Sequence, residues 1–468
     1  MRLRFGNLPG ALFTQASIHP IMFNLKSKVT AVLAALMCAG SALAQDSGPL
    51  IELLIRKGVL NDQEAEELRA ELVKDFAANT AAGKLNLSST LSEFRIAGDL
   101  RVRYESRGGE LTNGDDQKRD RFRYRVRTAL TGKVLQNWGW GVRLESGGGS
   151  RSTNVTLADD GGPYAKTNDG LYIGQIYATW APTPEWTFTA GRMANPLVTT
   201  AMVWDGDINP EGLAEQFRTR RGNNEFFVTL AQFVYGTSGN QDPFAAITSA
   251  NIAGTEDLFL TAWQGGYKRY LYGPTNFFQI APVLYYYAGA DQRANIAAFN
   301  GAMSATNAAP VNNLSVLEIP FEYNWVAANG VPLRAFADFA INLDADARAR
   351  KFGRTDLDGE DKAFHLGLQY GKASLPGEWD ARVIYQSVGS FALDANLVDS
   401  DLFDSRTNME GFIVGANYAL GAATQLSLTY ANAERKNNSV IASGSGDIGA
   451  NNALADYWLL QVDLNVKF

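Results

Sequence analysis

The sequence holds one cysteine and two histidines in 468 residues. Cys38 and His19 both fall within the first 44 residues, a stretch that reads as a removable leader, so the remaining chain has no thiol and one imidazole, His365. A disulfide framework, a thiolate zinc centre and a cysteine nucleophile are thereby excluded, and no metal or cofactor is expected. Basic charge is also short. Lys and Arg number 42 against 49 Asp and Glu, and the leader takes Arg2, Arg4, Lys26 and Lys28 with no acid. An acidic chain of this kind argues against a nucleic-acid partner. Long apolar runs are missing too, because the uncharged run from Val29 is too short and too rich in small residues for a comfortable helical span.

What is present begins with "MFNLKSKVTAVLAALMCAGSALA", Met22 to Ala44, which has a short basic region, an apolar run and Ala42-Leu43-Ala44 before Gln45. It reads as a secretory signal over residues 1–44 with its true start at Met22. Met37 precedes Cys38 where a lipoprotein site wants a small residue, so Cys38 is apolar filler. Residues 45–90 read as a periplasmic helical segment. Leu50, Leu53 and Leu54 fit a first helix stopped by Gly58, Asn61 and Glu64 resemble a capping box, and Ala65, Leu68, Leu72 and Phe76 form one apolar stripe. That stripe packs on its own domain or joins subunits as a short coiled coil; fewer than three heptads leave both open.

From residue 91 to residue 468 the periodicity changes to two. Strands are expected near 93–107, 119–134, 138–149, 170–181, 185–193, 212–221, 225–236, 257–272, 276–290, 313–326, 332–344, 361–373, 378–390, 408–420, 424–435 and 455–468. Every second gap is tight, such as "PTP" at 182–184, "GNN" at 222–224 and "GPT" at 273–275, while the gaps between are long and polar, including 150–169, 194–211 and 391–407. This alternation predicts an all-β, sixteen-strand, antiparallel up-and-down transmembrane barrel. Trp458, Leu460, Val462 and Leu464 share one face of the last strand and Gln461, Asp463 and Asn465 the other, which suits lipid outside and water within. Trp138, Trp140, Trp180, Trp186, Trp325 and Trp379 cluster near the short turns as an interfacial girdle. Because unpaired backbone groups are costly in lipid, the first and last strands must pair.

The densest chemistry is in "RFRYRVRTAL", residues 121–130, where Arg121, Arg123, Arg125 and Arg127 alternate with apolar residues. Arg95, Asp99, Arg101, Arg103 and Glu105 share the polar face of the preceding strand, and Arg143 and Glu145 that of the next. An arginine at the bilayer midplane costs roughly 2 to 4 kcal/mol in a barrel, so these side chains line the pore as a basic wall. Repulsion along the wall calls for acids. The loop over 194–211 and its flank supply Asp205, Asp207, Glu211 and Glu215 with no basic residue, and folding it inward as a constriction would set a transverse field.

"GRMANPLVTTAMVWDGDINPEG", Gly191 to Gly212, with "LIRKGVLNDQEAEELRAELV" and the terminal "LLQVDLNVKF", resembles the putative-porin family of bacterial outer-membrane proteins over nearly the whole mature chain. The resemblance implies a diffusion channel in outer-membrane lipid, a homotrimer, passage of small hydrophilic solutes or anions, and a closing Phe468 read by the outer-membrane assembly machinery. General architecture and arginine content are also similar to phosphate-selective porins, but Lys118 and Lys133 are too few and too near strand ends for a phosphate ladder. Two other readings stand beside the channel. A tethering barrel would act through residues 50–78, and a hydrolase would need His365, which shares a face with Gly367 and Gln369 as a polar lining residue.

Overall fold

The computed structural model describes residues 88, 90–135, 137–147, 152–159, 164, 170–236, 258–288, 314–351, 359–439, 446–448 and 454–468. The chain divides into two units, Met1–Asn86 and Leu87–Phe468. The expected leader and the helices over 50–78 lie outside the described residues.

The second unit is a wall of sixteen strands. These are β1 Leu91–Glu110, β2 Asp116–Val134, β3 Trp138–Gly147, β4 Gly170–Thr183, β5 Trp186–Arg192, β6 Glu211–Arg221, β7 Asn224–Gly236 and β8 Leu258–Tyr272. They continue as β9, in two pieces Asn276–Ile280 and Val283–Ala288, β10 Ser315–Val326, β11 Pro332–Asn342, β12 Lys362–Gly371, β13 Trp379–Val388, β14 Met409–Ala419, β15 Thr424–Arg435 and β16 Asp456–Lys467. Each pairs antiparallel with the next, and β16 returns to β1 with Lys467 opposite Asp99 and Trp458 opposite Gly108. Closure leaves no strand edge along that seam, as the backbone requires in lipid. Phe468 finishes it, exchanging backbone hydrogen bonds with Gly98 at 2.8 and 3.0 Å. A two-residue strand, Val155–Thr156, adds to β2 opposite Tyr124 and Arg123, and one short helix, Ala345–Lys351, sits in a long loop.

One strand departs from expectation. The run over 276–290 is interrupted at Ala281 and Pro282, where a proline without an N–H faces the stretch around Pro320, so the ladder skips two residues. Alternation survives the break, since Phe277 and Val283 both face inward.

The outer face is apolar, with Val102, Phe122, Ile176, Leu368 and Phe412 all more than half exposed. Near the short turns Trp138 stacks on Trp180 at 6.0 Å, Trp186 on Phe188 at 5.7 Å and Tyr323 on Trp325 at 4.9 Å, an aromatic belt at one rim. The inner face does not follow the simple polar pattern. Toward the long loops, β7 to β16 turn apolar side chains inward, and these pack against inward-folded loops in two clusters. One joins Trp204, Leu393 and Leu397 to Phe233, Leu260 and Tyr285; the other joins Phe403 and Ile448 to Ile413, Tyr457 and Leu459.

Candidate functional site: an arginine wall met by two loops

The first loop leaves the wall at Gly191 and returns at Gly212, which face each other across β5 and β6. Both have positive φ, 124° and 152°, and a Cβ would run into the Ile176 carbonyl oxygen of β4 at Gly191 and the Gln232 carbonyl oxygen of β7 at Gly212. Only glycine fits where the backbone bends away so close to a neighbour. Met193 N–H donates to the Pro210 carbonyl at 2.9 Å and closes the base of the loop. Inside, Thr199 donates to Glu318 at 2.7 Å, Thr200 donates to Asp338, and Trp204, 4% exposed, lies against Phe233 and Tyr285.

A second loop, residues 389–408, also folds inward. It is buried almost throughout, with Phe391, Leu393, Phe403 and Thr407 each at or below 1% exposure. In sequence, 391–407 reads as one of the long polar gaps, because its four acids conceal the apolar residues between them. The loops hold each other: Asp205 N–H donates to the Leu397 carbonyl at 2.6 Å, Ser400 N–H to Asp205 Oδ2 at 3.2 Å and Asp399 N–H to the Ala201 carbonyl at 3.2 Å. Phe403, Asp404 and Ser405 are consecutive left-handed residues with φ between 55° and 58°. Such backbone costs roughly 1 to 2 kcal/mol per residue, and it persists because Phe403 is sealed in and Asp404 accepts from Arg107 and from the N–H groups of Asp447 and Ile448.

The arginines stand as a ladder. Arg101 faces Arg125, Arg103 faces Arg123, and Glu105 faces Arg121 across β1 and β2. Arg103 is bidentate on Asp463 at 2.7 and 2.8 Å and donates to Asp401 at 2.7 Å. Arg107, a further residue of this ladder that sequence reasoning left out, contacts Glu105 at 3.0 Å, Asp404 at 2.7 Å and Asp447 at 3.1 Å. Arg121 also reaches Glu105 and Asp447, and Arg125 and Arg127 share Asp99. Arg143 pairs with Glu145 at 2.5 Å on β3. Arg95 lies exposed on β1 toward the short turns. The wall is therefore answered by strand acids, Asp99, Glu105, Glu145 and Asp463, and also by Asp401 and Asp404 of the second loop and by Asp447. Sequence reasoning missed the loop acids because they are remote in the chain and sit among ordinary loop residues.

Among the four acids expected from the first loop and its flank, Asp207 meets the wall, 3.7 Å from Arg125 and 3.4 Å from Arg127. Asp205 turns to the second loop instead. Glu211 and Glu215 are corrected to the outer face of β6: they share it with exposed Leu213, while Ala214 and Gln216 point in. Glu211 pairs with Arg192, and Glu215 accepts from Gln232 at 3.2 Å. Period two decides this, because Glu211 and Glu215 each lie two residues from outward-facing Leu213 in one unbroken pleat. Just above, β4 runs past the end of β5, and a cleft of about 290 Å³ opens between Asp207 and Asn209 on the inside and Tyr172, Arg192 and Glu211 on the outside. His365 is likewise not bathed in the lumen: it is 4% exposed and packs edge-on against Phe336 at 5.5 Å.

Loop carboxylates are split by their surroundings. Burial opposes ionisation of Asp401, but Arg103, Arg107 and Arg101 outweigh it and hold the group far below the usual carboxylate range. Asp399 is pushed well above that range by burial and then by the nearby charges of Asp205 and Asp401. An acid whose folded pKa is raised loses stability as pH climbs from its unfolded value to its folded one, and the loss persists above it. Asp399→Asn is therefore expected to leave the barrel less sensitive to alkali than the wild type, read as thermal unfolding at about pH 5 and about pH 9. Its Oδ1 still accepts from the N–H groups of Asp401 and Leu402. An unchanged pH profile would reject the interloop acid pair as its source.

A closed barrel with an apolar perimeter, a charged lumen and inward-folded loops defines a porin-like channel of the outer membrane. A model of the family described as "Putative porin" matches residues 109–313 and 308–468, and the chain belongs to that family. Solved structures similar to it include OprB of Pseudomonas putida, 10% identical with a TM-score of 0.48, covering 80% of this chain and 94% of that one. The outer membrane channel DcaP of Acinetobacter baumannii is 10% identical with a TM-score of 0.43, covering 82% and 99%. No curated protein matches.

Proposed function

We propose that the channel passes small hydrophilic solutes passively and prefers anions, and that residues 193–210 and 389–408 together narrow it. The carrying observation is the imbalance beside Asp207. Among the described residues, Arg101 comes no nearer a carboxylate than 3.9 Å from Asp463, Arg123 no nearer than 3.6 Å from Glu105, and the Nε of each is buried without a hydrogen-bond partner. Arg127 and Arg143 keep about a fifth of their side chains exposed. Guanidinium groups held this way in a narrow aqueous path favour entry of anions. Changing Arg123 and Arg125 to alanine is expected to move the reversal potential in a salt gradient toward cations, by roughly twofold or more in permeability ratio, and Asp207→Asn to move it the other way. A potential that ignores both changes would remove the wall from the conducting path.

The polar outer patch supports a homotrimer. Arg192, Glu211, Glu215 and Gln232 sit on a surface otherwise built for lipid, beside a cleft in the wall, and contact with another copy would spare them hydrocarbon. Export through a cleaved leader ending at Ala44, a periplasmic helical segment over 45–90 and recognition of Phe468 by the assembly machinery complete the proposal. Transport rather than hydrolysis is supported by the setting of His365, whose packing against Phe336 is that of a core residue.

A further inference from the structure

The lumen carries a second basic surface, remote from the arginine wall, on β6 to β11 toward the short turns. Three cations there lie over aromatic rings: Arg220 over Tyr270 at 4.2 Å, Lys268 over Phe277 at 3.6 Å and Arg334 over Phe336 at 4.5 Å. The ladder makes them neighbours, because Tyr270 faces Phe277, Phe277 faces Asn324 and Asn324 faces Arg334. They share the inward face with Gln264 and Asp338, whose side chains reach the first loop.

The charges here are unequally answered. Arg334 donates to Glu322 at 2.6 Å, and Glu225 takes Arg218 and the Tyr270 hydroxyl. Among the described residues, Lys268 has no carboxylate within 4 Å, and Arg220 makes one hydrogen bond, from Nε to the Gly222 carbonyl at 3.1 Å. Two cations thus keep donors to spare while resting on ring faces that fix their position and strip part of their water. A free inorganic anion gains only the charge from such a surface. A solute with a carboxylate and a flat apolar body gains both charge and ring contact.

We propose that this shelf is a binding station for small aromatic monocarboxylates, the carboxylate held by Lys268 and Arg220 and the ring laid along Tyr270 and Phe277. The proposal rests on the channel reading only for how the solute arrives. The station would hold such a solute between the constriction and the mouth at the short-turn end, so that flux saturates at lower concentration than for a solute of equal charge without a ring.

The test uses the full chain, with potassium benzoate and potassium acetate as probes. Binding to detergent-solubilised protein is read by saturation-transfer NMR, and reduction of chloride current is read in planar bilayers. Benzoate is expected to act at concentrations about tenfold lower than acetate, and Lys268→Gln with Arg220→Gln to erase that difference. Equal action of the two probes on the wild type overturns the proposal, as does a preference that survives the double change. If the double variant fails to fold, Phe277→Leu serves in its place with the same expectation, because it removes the ring and keeps the charges. Absence of chloride conductance would count against the channel reading, and the NMR comparison would still decide the station.

Discussion

Replacing residues 391–407 by a short glycine-serine turn is expected to raise single-channel conductance by about twofold or more and to strengthen anion preference. The segment fills lumen between the first loop and the inner faces of β14 to β16, and it carries Asp394, Asp399, Asp401 and Asp404. Removing it frees cross-section and leaves Arg103 and Arg107 without Asp401, which approaches them at 2.7 and 3.6 Å. Conductance and selectivity both at the wild-type level would mean that ions pass elsewhere. The excision also wets Ile413, Tyr457 and Leu459, so a milder companion is needed. Asp401→Ala alone is expected to shift the reversal potential in the same direction while leaving the two apolar clusters intact.

The largest stability effect is expected at Glu105. Its carboxylate is fully buried, with the Arg121 Nε at 2.6 Å, the Arg107 Nε at 3.0 Å, Arg103 and Arg123 each at 3.6 Å, and the Gln461 amide donating at 3.0 Å. One anion answers four guanidinium groups. Glu105→Ala leaves them buried with no central counter-charge, and breaking such a network costs about 3 to 5 kcal/mol. Glu105→Gln, which keeps the shape and removes the charge, is expected to fall between alanine and the wild type. The measurement is the urea midpoint of the reconstituted barrel with its slope held constant. A loss below about 1 kcal/mol for alanine would show the arginines to be solvated rather than held by this carboxylate. Arg143→Ala is the contrast, since among the described residues Glu145 is its one carboxylate partner and the side chain is partly exposed.

Much of the fold was legible because strand periodicity and gap length are local properties. The ends of β15, Thr424 and Arg435, coincide with the range read from alternation, and most other strands agree within a few residues. Legibility stopped where two segments far apart in sequence decide each other's surroundings. Asp205 and Asp207 are two of the four acids expected to face the arginines, yet Ser400 takes one and Arg127 the other. Glu211 and Glu215 were read as lumenal because they adjoin the loop, while the pleat, resumed at Glu211, turns them outward. The second loop was hidden because Phe391, Leu393, Leu397 and Phe403 follow no regular period among acids, and only a partner surface shows that they are core. A signal was present in hindsight: the inward positions of β7 to β9 include Phe233, Leu260 and Tyr285, too apolar for a water-filled bore.

Alternation of side chains along each strand and the succession of short and long gaps were enough to determine a closed barrel of sixteen strands with an arginine-rich inner wall, since both follow from chain geometry within a few residues. Which carboxylates neutralise that wall, which loops enter the lumen and which acids face outward were decided by tertiary structure alone. Charge pairing and burial depend on distances between groups as remote in sequence as Arg107 and Asp404, and no local pattern encodes such a distance.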